Sequence, residues 1–119
     1  MTRAVLIACV LLFFPIGALA QGPCSQGVRI VSAWYGEGSH TASGQRFNSH
    51  GLTAAHRTFP FGTRLLVINP HNGKSVTVTI NDRGPFVKGI GLDLSRGAAK
   101  VIGLTGTGAV CMAKVGVAG

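Results

Sequence analysis

A carboxylate beside a guanidinium at the end of a strand is the arrangement in this chain best placed to move a proton. It occurs in Asn81-Asp82-Arg83-Gly84-Pro85-Phe86, directly after Ser75-Val76-Thr77-Val78-Thr79-Ile80. The whole sequence holds three acids, Glu37, Asp82 and Asp93, so proton chemistry has few routes. A strand-end carboxylate next to a cation serves as a general acid or base when its surroundings tune it. The same residues also fit a turn in which Asp82 accepts backbone N–H bonds and Arg83 partners it at the surface. His56 follows Leu52-Thr53-Ala54-Ala55, small enough neighbours to let an imidazole reach a groove; a packed ring bonded to backbone fits equally. Asp93, between Leu92 and Leu94, is expected to be structural, bracing a helix start or the sheet by hydrogen bonds. Glu37 sits in a glycine-flanked loop and is expected to be solvated.

Trp34 and Tyr35 are adjacent in a strand-like run, and adjacent strand residues point to opposite faces. One ring is therefore expected in the core, the other free to stack on a sugar; partial packing of both is the alternative. Other chemistries lack their residues. There is no His-Glu-x-x-His helix and no Gly-x-Ser-x-Gly elbow. His40, His50 and His56 lack a ligand spacing, and Cys24 and Cys111, the two cysteines after residue 20, do not alone make a structural zinc site. Gly103 to Gly108 is glycine-rich, but no Lys-Ser/Thr follows to make a phosphate loop. Neither metal nor cofactor is expected.

The elements that must position these groups are short. Val28 to Tyr35 reads as a first strand, Gly36 to Asn48 as a long polar loop of the kind that carries function. Leu52 to His56 is a short strand, Pro60 to Gly62 a turn, and Thr63 to Asn69 a strand. Asn72-Gly73 signals a hairpin into the strand Lys74 to Ile80. Leu92 to Leu94 is a short apolar segment, and Ser95 is a helix N-cap for Arg96 to Ile102, ended by Gly103. Gly108 to Val115 is the last strand. Short strands, many glycines and one short helix predict a small closed β-barrel, which suits a monomer because closure removes exposed edges.

Residues 1–20 are set apart. Arg3, an apolar run from Ala4 to Ile16 and Ala18-Leu19-Ala20 read as a cleaved secretory signal. The run is short of the ~18 residues a membrane span wants, and Leu6-Ile7-Ala8-Cys9 only loosely mimics a lipoprotein box. A periplasmic or secreted protein is expected, with residues 21–119 as a single domain and no lasting membrane insertion. Cys24 and Cys111 remain near the ends of that domain; an oxidising compartment favours a disulfide between them over two free thiols. The full chain carries a formal charge of +8, and +7 without Arg3. So basic a domain is drawn to polyanions, which outside the cytoplasm means wall polymers rather than nucleic acid.

Six stretches then occur in a fixed order. They are Ser32-Ala33-Trp34-Tyr35-Gly36, Thr41-Ala42-Ser43-Gly44-Gln45-Arg46-Phe47-Asn48, Leu52-Thr53-Ala54-Ala55-His56, Pro60-Phe61-Gly62-Thr63, Asn81-Asp82-Arg83-Gly84-Pro85-Phe86 and Leu92-Asp93-Leu94-Ser95-Arg96. With them the chain strongly resembles the rare lipoprotein A (RlpA) family from about Val31 to Gly103. The resemblance implies a mainly β fold, a six-stranded double-psi β-barrel shared with expansins and some lytic transglycosylases. It implies action on peptidoglycan, by cleavage of glycan strands that lack stem peptides. By position, Asp82 and His56 match groove residues of the family. Gln45 and Asn48 stand where members often have Glu and Asp. Septal targeting through a lipidated start and a C-terminal repeat domain is not expected to carry over.

A glycosidase of the usual kind wants two carboxyl groups at the scissile bond. A lytic transglycosylase needs one acid/base, which protonates the leaving oxygen and then takes the proton of the muramic acid 6-hydroxyl. Asp82 is expected in that role with His56. Gln45, Asn48, Arg83, Trp34 and Tyr35 are expected to hold peptidoglycan glycan. The other reading is an expansin-like wall-binding module without catalysis.

Overall fold

The computed structural model describes residues 24–25, 27–38 and 40–117. The expected leader at 1–20 lies outside them. Six strands are present: β1 (Val28–Tyr35), β2 (Thr53–Ala55), β3 (Thr63–Ile68), β4 (Ser75–Asp82), β5 (Leu92–Ser95) and β6 (Gly108–Val117), with one helix, α1 (Arg96–Val101), between β5 and β6. They close into a barrel in the order β1-β5-β2-β4-β3-β6. The pairs β1/β5 and β2/β4 are parallel. The other four pairs are antiparallel. The mainly β barrel expected from the sequence is the fold observed.

Alternation explains the core. Along β4, Val76, Val78 and Ile80 are buried while Ser75, Thr77 and Thr79 are not, the period-2 pattern of a strand with one face on a core. Leu65 and Val67 of β3, Leu92 and Leu94 of β5 and Val110 of β6 fill the interior, and Ala98, Ala99 and Ile102 bring α1 against it. Val28–Tyr35 has the bounds expected of it, whereas β4 starts one residue later than expected and runs on through Asn81 and Asp82. The apolar segment at Leu92 is a full strand because it fits between β1 and β2. The turn before β4 is built as expected: Gly73 has φ +75°, a conformation glycine takes at little cost, and its N–H bonds the Asn69 carbonyl at 2.8 Å.

One irregularity sets the direction of Asp82. Ala54 pairs with Ile80 and Ala55 with Asp82, so Asn81 is an extra residue in β4. Such a bulge re-aims the side chains beyond it. Strict alternation from Val76, Val78 and Ile80 would turn Asp82 inward. The extra residue turns it to the outer face instead.

Ser95 ties three segments together. Its Oγ accepts from the Ala98 N–H at 3.2 Å, capping α1, and donates to the Gly51 carbonyl at 2.6 Å. It is fully buried. Ser95→Ala should therefore cost about 2 kcal/mol, a lost cap plus an unpaired carbonyl. Urea unfolding measures this, and a loss below about 0.5 kcal/mol would show that other bonds hold the helix start. Cys24 and Cys111 form a disulfide with Cα atoms 5.2 Å apart.

Candidate active site

Three register pairs define the site. Ala33 lies opposite Asp93, Asp93 opposite Ala55, and Ala55 opposite Asp82. Residues directly opposite share a face, and the neighbouring row Leu94, Ala54, Ile80 belongs to the core. The row Ala33-Asp93-Ala55-Asp82 therefore runs across the outer face of four adjoining strand positions. Strands lie about 4.8 Å apart, so the two aspartate Cα atoms stand roughly 10 Å apart. One small residue, Ala55, stands between the two carboxylates, and it is buried.

The surroundings treat the carboxylates differently. Asp82 Oδ1 accepts from the Ala42 and Arg83 backbone N–H groups, each at 2.8 Å, which fixes its direction. Asp93 is half-buried, and its Oδ1 is shielded from water without a hydrogen-bond partner. The bracing bonds expected of it are not made through that atom. Burial first, and the Asp82 charge second, push the Asp93 carboxyl up to about 6. Tyr35 walls the same face, stacked on Phe47 with ring centroids 5.0 Å apart. Its hydroxyl is buried and forms no hydrogen bond of good geometry, yet lies near enough to both aspartates to feel them. Burial first, then Asp82 and Asp93, push the phenol well above its ordinary value.

His56 is held by its backbone and its ring. Its N–H bonds the Asp82 carbonyl at 3.2 Å, so the two residues adjoin. Nδ1 accepts from the Thr58 and Phe59 N–H groups at 3.1 and 3.0 Å. A nitrogen accepting two bonds carries no proton, so the ring is neutral with its proton on Nε2. Partial burial, then Arg57, Lys114 and Arg83, lower its pKa further. The ring stacks on Phe59 at 3.6 Å. His56 is thereby a hydrogen-bond donor at Nε2 rather than a proton shuttle.

The remaining expected residues divide. Arg83 does not turn back on Asp82; its Nη1 donates to the Phe59 and His56 carbonyls at 2.8 and 3.3 Å, and its guanidinium lies 4.0 Å from the centre of the Phe61 ring. Gln45 Oε1 accepts from Asn81 Nδ2 at 3.1 Å, next to Asp82. Asn48 Oδ1 accepts from the His50 N–H at 3.0 Å, a turn-forming bond. Trp34 points to the opposite face from Tyr35 and lines a shallow pocket with Arg96, Lys100 and Leu104, away from the aspartate row. Among the described residues no group of three or more His, Cys, Asp or Glu could hold a metal. Asn81 was not singled out by sequence. Its signal is the bulge, which only the pairing of β2 with β4 discloses.

Burying a carboxylate has a cost that depends on pH. The folded Asp93 holds its proton up to about pH 6, the unfolded one only to about 3.9. The folded state thus binds more protons between these values, and stability falls as pH rises through the window. Asp93→Asn removes the penalty. It should leave the melting temperature unchanged at pH 4 and raise stability at pH 7.5 by about 1 kcal/mol, a figure reduced for the half-exposed position. Calorimetry at both pH values checks this, and an equal shift at the two would refute it.

The comparisons with known proteins accord with this fold. The family model described as lytic transglycolase, a double-psi β-barrel family, matches residues 28–113. An RlpA protein of Synechocystis sp. is 58% identical over 81 residues, which are 66% of this chain and 25% of that protein. The endolytic peptidoglycan transglycosylase RlpA of Campylobacter jejuni is 44% identical over 93 residues, 76% of this chain and 33% of that protein. The chain thus spans a quarter to a third of the length of these two relatives. Among solved structures, the Streptomyces papain inhibitor superposes with a TM-score of 0.62 at 22% identity, covering 80% of this chain and 99% of that one. That likeness is one of fold.

Proposed function

The chain belongs to the lytic transglycolase family, and from that premise we propose that it cleaves the glycan strands of peptidoglycan outside the cytoplasm, as a single monomeric domain of residues 21–119 after loss of its leader. The observation that carries the reading is the pair of aspartates across Ala55, one of them held up to about 6. The bond broken is the one between C1 of a muramic acid and the oxygen of the next sugar. Asp93, protonated, gives its proton to that leaving oxygen as the bond breaks. The muramic acid 6-hydroxyl oxygen bonds to C1 and its proton passes to Asp82, whose Oδ1 is already aimed by two N–H groups. The products are a strand with a free hydroxyl and one ending in a 1,6-anhydro ring. Exchange with water resets both carboxyls.

The sequence alone puts both proton steps on Asp82. Burial of Asp93 supports dividing them, because a proton donor must hold its proton near working pH. His56 Nε2–H and Gln45 bind sugar hydroxyls in this scheme, and Tyr35 bounds the groove. Peptidoglycan sacculi incubated with the purified protein should yield anhydro-ended fragments by mass spectrometry. No release above buffer rejects the reaction, and sedimentation with sacculi under those conditions would point to the wall-binding module instead.

A further inference from the structure

Trp34, Gly36 and Arg96 belong to the ordered stretches of the sequence, yet the reaction gives them no task. The parallel pairing of β1 with β5 brings them together. Trp34 lies opposite Leu94 and Tyr35 opposite Ser95, so Arg96 follows directly beside Gly36. Trp34 and Arg96 then line a pocket of about 270 Å³ with Ala99, Lys100, Leu104 and Thr105. Trp34 keeps 37% of its surface exposed, and Ala99 beneath is buried. Arg96 and Lys100 stand four residues apart on α1, so both cations project from one face of it. None of the chain's three acids lines the pocket.

The guanidinium of Arg96 has a place made for it. Its Cζ lies 5.7 Å from the centre of the Trp34 ring, against 4.0 Å for Arg83 on Phe61, so it stands off the indole rather than packing on it. It lies against Gly36, where a Cβ would sit 2.5 Å from Nη2 and 2.8 Å from Cζ. A residue without a side chain is what leaves that slot open. An indole face suits the apolar face of a pyranose ring. A guanidinium takes a carboxylate by two parallel N–H bonds, and the nearby Lys100 adds to the pull on the same anion. We infer that this pocket is a second carbohydrate site, apart from the aspartate row, for an acidic sugar: a pyranose that carries a carboxylate. The ring lies on Trp34 and the carboxylate meets Arg96 and Lys100. The inference goes beyond the cleavage reaction and does not rest on it, because no lining residue belongs to the aspartate row.

Tetramannuronate and β-1,4-mannotetraose test this. They share one backbone and one ring configuration and differ at C6, carboxylate in the first and hydroxymethyl in the second. Trp34 is the chain's one tryptophan, so its fluorescence and its indole N–H signal report this pocket alone. On titration of the folded protein, tetramannuronate should move both signals and bind at least about tenfold more tightly than mannotetraose. Arg96→Gln should cut that preference to about threefold or less. Arg96 is exposed and glutamine is nearly as good a helix former, so the fold survives the change. Gly36→Ala keeps both cations but displaces the guanidinium, and it should cut the preference as far; a loose attraction between net charges would not respond. Circular dichroism checks the fold of each variant. Equal affinity of the wild type for the two oligomers overturns the inference, as does a preference unchanged in both variants. Tetramannuronate that binds without moving the Trp34 signals overturns it too. So does tripolyphosphate, an anion without a ring, if it matches tetramannuronate in affinity and in its effect on Trp34.

Discussion

Asp93→Asn should lower the release of anhydro-ended fragments at pH 5.5 by about a hundredfold or more, the usual worth of a positioned general acid. The amide matches the carboxyl in shape, so the groove and the row from Ala33 to Asp82 stay in place. What is lost is a proton that Asp93 holds up to about pH 6. Wild-type kcat/KM should accordingly fall above that pH as the acid ionises, while the variant stays flat at its residual rate. Asp82→Asn should cost a similar factor by removing the acceptor for the 6-hydroxyl proton. Unfolding is not a competing explanation for Asp93→Asn, since that variant is expected to be the more stable protein at pH 7.5. Full activity in Asp93→Asn, measured on denuded glycan strands by mass spectrometry, would return both proton steps to Asp82.

The second large effect is on stability. Replacing Cys24 and Cys111 together by serine should cost about 4 to 5 kcal/mol in a chain-entropy treatment, because the bond closes a loop of 87 residues. Domains of this size have ~5–15 kcal/mol in all, so the change removes a large share. The bond joins the segment before β1 to the middle of β6, so it pins the seam where the first and last strands meet. The urea midpoint of the double variant, compared with that of the oxidised protein, reads the loss. A drop below about 1 kcal/mol would mean that the strand pairing alone holds the seam.

Most of the barrel could be read along the chain, because its signals are local. Alternation in Val76, Val78 and Ile80, the Asn72-Gly73 turn and the Ser95 cap each depend on a few neighbouring residues. The site was less legible because it is made across strands. That Asp82 faces outward depends on Asn81 being extra relative to β2, and two residues of β2 must be aligned with β4 before this shows. The elevated proton affinity of Asp93 comes from burial between β1 and β2, which sit far from it in sequence. His56 was visible as a candidate, but its neutral state follows from the backbone of Thr58 and Phe59 curling over its ring. The opposed faces of Trp34 and Tyr35 follow from strand geometry. Only the structure tells which ring meets the aspartates, and it is Tyr35.

The order of strands around the barrel places β6 between β1 and β3. As the chain is delivered from its N-terminal side, that gap stays open until β6 arrives. Every earlier intermediate exposes two unpaired edges and an incomplete interior, and none can mature on its own. Folding is thus an all-at-the-end event dominated by distant pairings, which are slow to find. Over that interval a nascent molecule depends on whatever escorts it, and shortening the chain by its final strand would leave an aggregation hazard rather than a smaller working protein.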